Sequence, residues 1–509
     1  MYSSVTSGTI SGIQGLMIHV EADVSDGLPN FQMVGYLANE IRESGERIRT
    51  AIRNAGFELY PKRVVINLSP ADVRKGGSGF DLPIAIAMLV SYGYLSQKSV
   101  EGAVFLGELG LDGSILPVNG VLSVADCARQ SGFRKLFLAE ENRREGAMVH
   151  DLQVYGVKHL KQLAEVLQDD RLTVPEPGEE ICEEHEAEFW DFRNLKGQLL
   201  ARRALEIAAS GMHNVLMSGP PGAGKTMAAR CLTGILPPLE FEESMELTKI
   251  YSVRGMLGDR KEIIRQRPFR APHHTITTTA LIGGGVIPKP GEVSLAHNGV
   301  LFLDELPEFG KRAIEAMRQP LEEKCVVIGR LNAAYRFPAN IMLVGAMNPC
   351  PCGCYPDRNK CNCTVNQIRT YQGKISRAML DRMDILMQLQ PVSFEAMNDK
   401  AVCEDSRTIR NRVERVHQRQ RERYAEEGIR FNSQLSPEQL QIFCRLTSEE
   451  EAFMKQVFEQ KQLSGRGYHR LLRVARTIAD MEGCEELRLE HLQEAVAYRI
   501  SLPGEERMI

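Results

Sequence analysis

The chain has 509 residues, 43% of them apolar, so it is long enough for about three domains that each bury a core. Its 62 basic and 66 acidic residues leave a net charge of −4, which excludes overall charge as an argument for a nucleic acid or a membrane partner. No apolar run reaches the roughly 20 residues of a membrane span and no secretory signal begins the chain, so we expect a cytosolic location in which the 12 cysteines remain thiols or bind metal.

The first predicted elements belong to a compact α/β domain. Apolar and polar residues alternate over 18–24, which indicates a half-buried strand. Apolar residues then recur with a period near 3.6 over 41–55, which indicates a helix, and a short apolar strand follows at 64–68.

A change in composition divides the chain. Residues 176–191 contain eight acidic residues and neither Lys nor Arg, which is typical of a solvated linker. Apolar runs at 214–217, 300–303 and 341–346 then alternate with helical stretches, which predicts a parallel sheet with covered faces. From about Phe394 only helical patterns continue, so we expect a helical C-terminal domain.

The strongest motif follows the strand predicted at 214–217 and precedes a helix predicted from Lys225. It has the spacing of a phosphate-binding loop, in which backbone amides and a helix N-terminus face phosphate groups. In such a loop Lys225 contacts the β- and γ-phosphates of ATP and the Thr226 hydroxyl binds Mg²⁺. The motif consists of Gly219, Pro220, Pro221, Gly222, Ala223, Gly224, Lys225 and Thr226.

Two further apolar strands end in residues that an ATPase needs. The strand at 300–303 is followed by Asp304, placed for Mg²⁺, and by Glu305, placed to activate a water. The strand at 341–346 leads to Asn348, whose amide can orient that water. Each feature alone is common at strand ends and turns. The prediction of an ATPase therefore depends on the order in which these features follow the phosphate loop.

These elements, together with Leu-Asp-Arg-Met-Asp at 380–384 and Ser-Gly-Arg at 464–466, resemble an AAA+ ATPase of the magnesium-chelatase and minichromosome-maintenance branch. Longer phrases at 267–275, 290–299 and 304–309 are similar to the magnesium-chelatase-like ComM/YifB family. With Gly-Leu-Pro-Asn-Phe from position 27 and Asn-Leu-Ser-Pro-Ala-Asp from position 67, the resemblance covers almost the whole chain.

The resemblance implies an α/β fold class in three parts. It predicts a Lon-protease-like α+β domain over 1–170, an acidic linker over 171–191, an AAA+ P-loop core with a parallel sheet over 192–393 and a helical lid over 394–509. It further implies an ATP-driven ring motor on DNA, hexameric in the family, like the ComM proteins implicated in branch migration during recombination of incoming DNA.

The same resemblance implies roles for two arginines. Arg382 is expected to be the arginine finger that reaches the ATP of a neighbouring subunit, and Arg466 the second sensor on the lid. A planar guanidinium suits the charge that develops on the transferred phosphoryl group. The alternative is an ion pair with a nearby carboxylate, with Asp381 and Asp384 available to Arg382.

Two inserts are candidates for DNA contact. The stretch 251–293 is rich in basic residues and ends near three consecutive glycines, and the stretch 326–338 reads as a hairpin. In the latter, Arg330 and Arg336 can bind phosphates and Tyr335 can stack on a base. The alternative is that the arginines of these stretches pair with local acids or with the nucleotide.

Five cysteines fall between positions 350 and 363. Four thiolates in a tetrahedron suit a structural Zn²⁺, which would hold a loop with little apolar content. Their pairing favours Cys350, Cys352, Cys361 and Cys363 as ligands, with Cys354 as an alternative ligand, and a loop of free thiols is the other interpretation.

The N-terminal domain is similar in pattern to the proteolytic domain of Lon, which uses a Ser and a Lys. Ser78 lies near the expected serine turn, but Leu122 stands where the lysine should be. Because a serine without a base is a weak nucleophile, we predict no peptide cleavage unless Lys75 or Lys98 approaches Ser78. A Lon-like peptidase and a protein-remodelling or chelatase-type ATPase without nucleic acid are thus the alternatives to a DNA motor.

Overall fold

The computed structural model describes residues 1–169, 190–258, 262–330, 333–391 and 404–499. All but the last two residues of the acidic stretch predicted at 176–191 lie outside the described residues, as do Arg260 and Lys261 of the first basic insert.

The N-terminal domain is built on a seven-stranded mixed sheet. Its strands, in spatial order, are Asn30–Val34, Arg63–Ser69, Gln14–Ser25, Tyr2–Ser11, Ala103–Leu106, Lys135–Ala139 and Gln153–Val157. The predicted alternation at 18–24 is confirmed, since Ile18, Val20, Ala22 and Val24 are all buried. The period-3.6 pattern likewise forms the helix Asn39–Asn54.

Helices cover this sheet. Every residue of the helix Asp81–Ser91 is buried, because the helix packs on the two N-terminal strands and against Asn39–Asn54. The other helices of the domain are Gln97–Val100, Val121–Gln130, Arg143–Gly146 and Leu160–Asp169, and the short strands Glu108–Leu109 and Ile115–Leu116 form a separate pair.

The second domain contains a parallel sheet of five strands. Their spatial order is Phe269–Arg270, Val300–Leu303, Met342–Met347, Val215–Ser218 and Ile385–Gln388. The three strands predicted from apolar runs are confirmed, with a shift of one residue in two of them, and all their side chains are buried because both faces are covered. The carboxyl ends of parallel strands meet at one edge, so this sheet brings the loop after 218, Asp304 and Asn348 together.

Helices and two small hairpins surround the sheet. The hairpins pair Gly283–Gly284 with Lys289–Pro290 and Cys325–Arg330 with Ala333–Pro338. The helices are Leu199–Gly211, Lys225–Ile235, Phe241–Arg254, Thr278–Ile282, Glu292–Leu295, Lys311–Ala316, Arg318–Glu323, Val365–Gln372 and Arg377–Leu380.

The C-terminal part is helical, as expected. Its helices are Ser406–Arg423, Pro437–Phe443, Ser448–Gln460, Gly465–Glu482 and Leu489–Ala497, and they share one apolar core with the sheet domain. The buried Asp384 joins the two parts, because one of its oxygens lies 2.5 Å from Nη1 of Arg470 on the lid. Burial opposes ionisation of Asp384, but Arg470 and His213 outweigh it and hold the pKa of the carboxyl well below its usual range.

The N-terminal domain contacts the sheet domain through the helix Phe241–Arg254. Nζ of Lys249 lies 2.7 Å from Asp126, and the amide of Gly120 donates to the carbonyl of Ser252 over 3.1 Å. Within the parts of the chain that the structure describes, no helix combines the length and the apolar character needed to cross a membrane.

Candidate nucleotide site and cysteine centre

The phosphate loop joins the strand Val215–Ser218, which lies between Met342–Met347 and Ile385–Gln388, to the helix Lys225–Ile235. Gly222 and Gly224 have φ values of 78° and 88°, a left-handed backbone that favours glycine. A Cβ at Gly219 would lie 2.9 Å from the carbonyl oxygen of Leu389, so the loop also needs glycine for space. The result is a tight turn that opens into a helix N-terminus, the arrangement that binds phosphate.

Lys225 folds back over this loop. Its ammonium group donates to the carbonyls of Gly219 and Pro220 over 2.6 and 3.0 Å, and to Oδ1 of Asn348 over 3.0 Å. Burial lowers the pKa of Lys225, while the nearby carboxylates of Asp304 and Glu305 act in the opposite direction. A cation held in this way can turn from the carbonyls to a bound phosphate.

The predicted magnesium ligands lie together. The Thr226 hydroxyl donates to Oδ2 of Asp304 over 2.9 Å. A hydroxyl and a carboxylate beside a phosphate loop are the hard oxygen ligands that Mg²⁺ takes together with substrate phosphates, so the donor set fits this ion.

Glu305 occupies the turn just after its strand. Its backbone is left-handed, with a φ of 53°, and its amide donates to Oδ1 of Asp304 over 2.9 Å. The side chain is 54% exposed, so its carboxylate is accessible to solvent. Oε2 of Glu305 also lies 3.3 Å from Nδ1 of His274, a contact that the sequence did not predict.

Arg382 and Arg466 meet on one carboxylate that sequence reasoning missed. Oε1 of Glu322 lies 2.5 Å from Nη2 of Arg382 and 3.0 Å from Nη1 of Arg466. Arg382 is buried and Arg466 is exposed. The carboxylate partners expected from the sequence are engaged elsewhere, since Asp384 binds Arg470 and Asp381 lies near Ser464.

The cysteine loop follows Asn348 directly. Sγ of Cys350 lies 3.3 Å from that of Cys352 and 3.8 Å from that of Cys361, and Cys352 and Cys361 are 3.6 Å apart. With Cys363, these four sulfurs lie within 4.8 Å of one another. Four thiolates around Zn²⁺ at about 2.3 Å stand about 3.8 Å apart, so the cluster fits this ion.

Cys354 differs from the other four cysteines. Its thiol contacts the carbonyl oxygen of Cys352 over 3.5 Å and it is not part of the group of four sulfurs. The amide of Cys354, with the thiol of Cys350, lowers the pKa of Cys352 to about 6. At Cys361 and Cys363 a backbone amide lowers the pKa, but burial and the neighbouring thiols outweigh it and raise the pKa of both.

The basic inserts divide into two kinds. Arg267 is buried against Glu243, 2.9 Å away, and Arg270 binds Glu292 over 2.7 Å. For these two arginines the structure shows the alternative interpretation, pairing with local acids.

The hairpin arginines are different. Arg330 and Arg336 are exposed and Tyr335 is half-buried, on the hairpin formed by Cys325–Arg330 and Ala333–Pro338. Nη2 of Arg330 donates to the carbonyl of Gly285, which joins this hairpin to the glycine-rich one.

Ser78 has a carboxylate as its partner. Its hydroxyl donates to Oε2 of Glu108, while the buried Lys75 donates to the carbonyl of Pro70 and Lys98 is exposed. Within the described part of the chain, neither lysine hydrogen-bonds to Ser78, so the serine does not have the lysine partner of a Ser–Lys pair.

Comparisons with known proteins agree with this arrangement. A phosphate loop after an internal strand of a five-stranded parallel sheet, followed by a helical lid, defines a nucleotide-binding AAA+ protein. The model described as "Magnesium chelatase, subunit ChlI" matches residues 191–397, and the corresponding N-terminal and C-terminal models match 20–142 and 403–499.

Relatives that match over nearly the whole chain define the family within this class of AAA+ proteins. The competence protein ComM of Haemophilus influenzae is 39% identical over 505 residues, covering 97% of both chains. The uncharacterized protein YifB of Escherichia coli is 39% identical over 491 residues, covering 96% of this chain and 95% of its own. A Lon protease of Flavobacterium johnsoniae is 28% identical over 174 residues, which is 32% of this chain and 21% of the protease. The chain therefore belongs to the magnesium-chelatase-like ComM/YifB family, with a Lon-like N-terminal domain.

Proposed function

We propose that the protein is an ATP-hydrolysing ring motor that acts on DNA, and that it drives branch migration during recombination or natural transformation. The observation that carries the ATPase proposal is the convergence of three strand ends: Lys225 contacts Asn348, and Thr226 contacts Asp304. These contacts join the phosphate loop to the acidic strand and to the asparagine strand around one space for a triphosphate.

Each side chain has a role in this proposal. The loop amides and Lys225 bind the β- and γ-phosphates, and Thr226 with Asp304 holds Mg²⁺, which neutralises charge on the phosphate oxygens. Glu305 accepts the proton of the attacking water, and Asn348 orients that water. Both must lie within hydrogen-bond reach of the water once ATP is bound.

A homo-oligomeric ring, a hexamer by family resemblance, completes the site. Arg382 and Arg466 share Glu322, so they lie on one surface, and we assign that surface to the ATP of the adjacent protomer. Arg382 then exchanges Glu322 for phosphate oxygens when the ring forms. In this assignment residues 192–393 form the ATPase core, 394–509 the lid, and 1–170 a non-proteolytic domain that assembles the ring or contacts a partner, after the linker 171–191.

The DNA part of the proposal rests on the hairpin and on the relative. Arg330 and Arg336 present two exposed cations beside Tyr335, a combination that binds phosphates and stacks on bases. The relative from Haemophilus influenzae is a competence protein.

A four-way junction tests this proposal. The protein should separate a labelled synthetic junction with ATP, and the Arg330→Ala/Arg336→Ala variant should lose this activity while it keeps DNA-free ATP turnover. For this variant, the slope of log DNA affinity against log salt concentration should become shallower by about 2, which is about one for each lost phosphate contact. The matched control removes two exposed lid arginines, Arg445 and Arg488.

Two other outcomes favour the alternative functions. ATP turnover without any DNA binding at low salt contradicts the DNA motor and favours a remodeller of proteins. Casein cleavage by the wild type that is lost in Ser78→Ala favours the peptidase.

We also propose that the cysteine loop binds one structural Zn²⁺ through Cys350, Cys352, Cys361 and Cys363. The four sulfur positions support it, and four protein ligands leave no open position for catalysis. The cytosolic location predicted from the sequence is reducing, which keeps such thiols available.

A further inference from the structure

The first turn of the N-terminal domain reaches the hairpin at 325–338, which carries the proposed DNA contacts. The strands Tyr2–Ser11 and Gln14–Ser25 pair along their length, and the two residues between them form the tip of this ribbon. Gly12 at the tip has a φ of 67°, and a Cβ there would collide with the carbonyl oxygen of Arg336. The backbone of the tip therefore lies directly against the backbone of the hairpin.

Ile13, the other residue of the tip, adds an apolar contact. Its half-buried side chain packs against an apolar cluster that includes Val326 and Phe337, two buried residues that pair across the hairpin. Ile13 also lines one cleft with Lys324 and Asn340, which lie just before and just after the hairpin strands. The tip of the ribbon thus packs at the base of the hairpin.

The ribbon is held in turn by a helix of its own domain, Val121–Gln130. A Cβ at Gly15 would collide with the carbonyl oxygen of Ser123, so this helix packs closely on the ribbon beside its tip. Asp126 on the same helix binds Lys249 of the sheet domain over 2.7 Å. The helix therefore fixes the ribbon to the ATPase core.

A second contact between the two domains is buried. The hydroxyl of Ser252 donates to Oε1 of Glu145 over 2.5 Å, and the amide of Leu122 donates to the same oxygen over 3.1 Å. Glu145 is 3% exposed, and a buried carboxylate that loses its donors carries a large desolvation cost. This contact keeps the two domains in one orientation, so the tip of the ribbon has a fixed place.

We propose that the N-terminal domain positions the DNA hairpin, and that Gly12 and Ile13 are the positioning residues. This inference rests on the proposed function. A two-stranded hairpin is marginally stable alone and needs a packing partner, which the ribbon supplies at the base of the hairpin. Arg330 and Arg336 then keep the spacing and direction with which they bind the phosphates of one DNA strand. The domain that resembles a protease thus serves DNA binding.

The test measures the dissociation constant of labelled forked DNA for variants of the full-length protein. Gly12→Ala and Ile13→Ser should each weaken DNA binding about 5-fold or more, the lower end of ordinary coupling between sites. Their DNA-free ATP turnover should match that of the wild type, because the proposed nucleotide site is built from other residues of the sheet domain. Ile13→Val keeps the apolar contact and should bind DNA as the wild type does.

Gly102→Ala is the matched control for backbone strain. Gly102 belongs to the same domain and has a φ of 70°, and among the described residues nothing lies within 4 Å of its added Cβ. It should therefore keep wild-type DNA affinity. In the Arg330→Ala/Arg336→Ala background, Ile13→Ser should cause no further loss of DNA affinity, because the tip acts through those two arginines.

Each other result contradicts a defined step. Wild-type DNA affinity in Gly12→Ala or in Ile13→Ser overturns the inference, and so does an equal loss in Gly102→Ala or in Ile13→Val. Loss of DNA-free ATP turnover in both tip variants shows a general structural defect and also overturns it, as does a further loss in the background without the two arginines. A wild-type protein that turns over ATP but binds no DNA contradicts the proposed DNA function itself.

Discussion

Position 353 shows how one residue connects two parts of the site. Gly353 lies in the cysteine loop with a φ of 80°, and a Cβ there would come within 2.4 Å of Cδ of Pro221 in the phosphate loop. Since Pro221 is rigid and belongs to the turn that faces the phosphates, little space can be made. The cysteine loop therefore packs against the phosphate loop at a position where a side chain larger than that of glycine would clash.

We expect Gly353→Ala to weaken ATP binding. Overpacking of this kind costs about 1–3 kcal/mol, part of which falls on the phosphate loop as a displaced Pro221. The measurement is the dissociation constant of a fluorescent ATP analogue. Gly132→Ala is the matched control, because Gly132 has a φ of 84° and nothing within 4 Å of its added Cβ. Equal ATP affinity in the two variants would show that the contact does not matter to the site.

At the residue scale, the sequence predicted that the phosphate loop, Asp304 and Asn348 lie close together, because the motifs follow one another at strand ends. In the structure Thr226 contacts Asp304 and Lys225 contacts Asn348, while the roles of these residues stay predictions. Sequence reasoning missed Glu322 and His274, because pairs between distant segments depend on tertiary packing that no local pattern records. The one signal for His274 was its place in the phrase at 267–275, which contains the edge strand Phe269–Arg270.

At the scale of elements, the strands that could be predicted have either an alternating pattern, as in Gln14–Ser25, or a continuous apolar run. Val300–Leu303 and Met342–Met347 are continuous apolar runs and were recognised as such. The edge strand Phe269–Arg270 has two residues, too few for any period to show. The hairpin from Gly283 to Pro290 could not be predicted from its three consecutive glycines, since glycine gives no periodic signal.

The stability of the cysteine loop is expected to depend on a bound metal ion. It joins the strand Met342–Met347 to the helix Val365–Gln372 with a small apolar cluster made largely of cysteines. We expect the purified protein to contain about one zinc per chain and to lose it in Cys361→Ser, with a lower midpoint of thermal unfolding, because bound metal adds to the folding free energy.

Metal analysis by mass spectrometry checks this directly. Cys354→Ser is the control, since Cys354 is not part of the four-sulfur group and its variant should keep the metal. Metal-free wild-type protein with the same thermal midpoint as Cys361→Ser would mean that the loop holds free thiols.

At the scale of the whole molecule, the resemblance predicted the three-part architecture that the fold and the relatives show. The sequence could not predict which residues form the contacts between the domains. Lys249 binds Asp126 across the first domain boundary, and Arg470 binds Asp384 across the second. Such pairs join charges that are far apart in the chain, so their partners appear only in the folded protein.

The proposed ring involves contacts between subunits. In a single protomer Arg382 is held by Glu322, and we propose that the ATP site becomes complete when the adjacent subunit supplies this arginine. Loss of an arginine finger lowers turnover by about 10³-fold or more, so Arg382→Ala should be almost inactive although it binds ATP.

Mixing two inactive variants tests the shared site most directly. Lys225→Ala and Arg382→Ala should each turn over almost no ATP alone. An equal mixture, assembled together, should recover about a quarter of the wild-type rate if the sites act independently, because a site with an intact Lys225 can then receive Arg382 from its neighbour. No recovery in mixed rings, or a Lys225→Ala variant as fast as the wild type, would contradict the account.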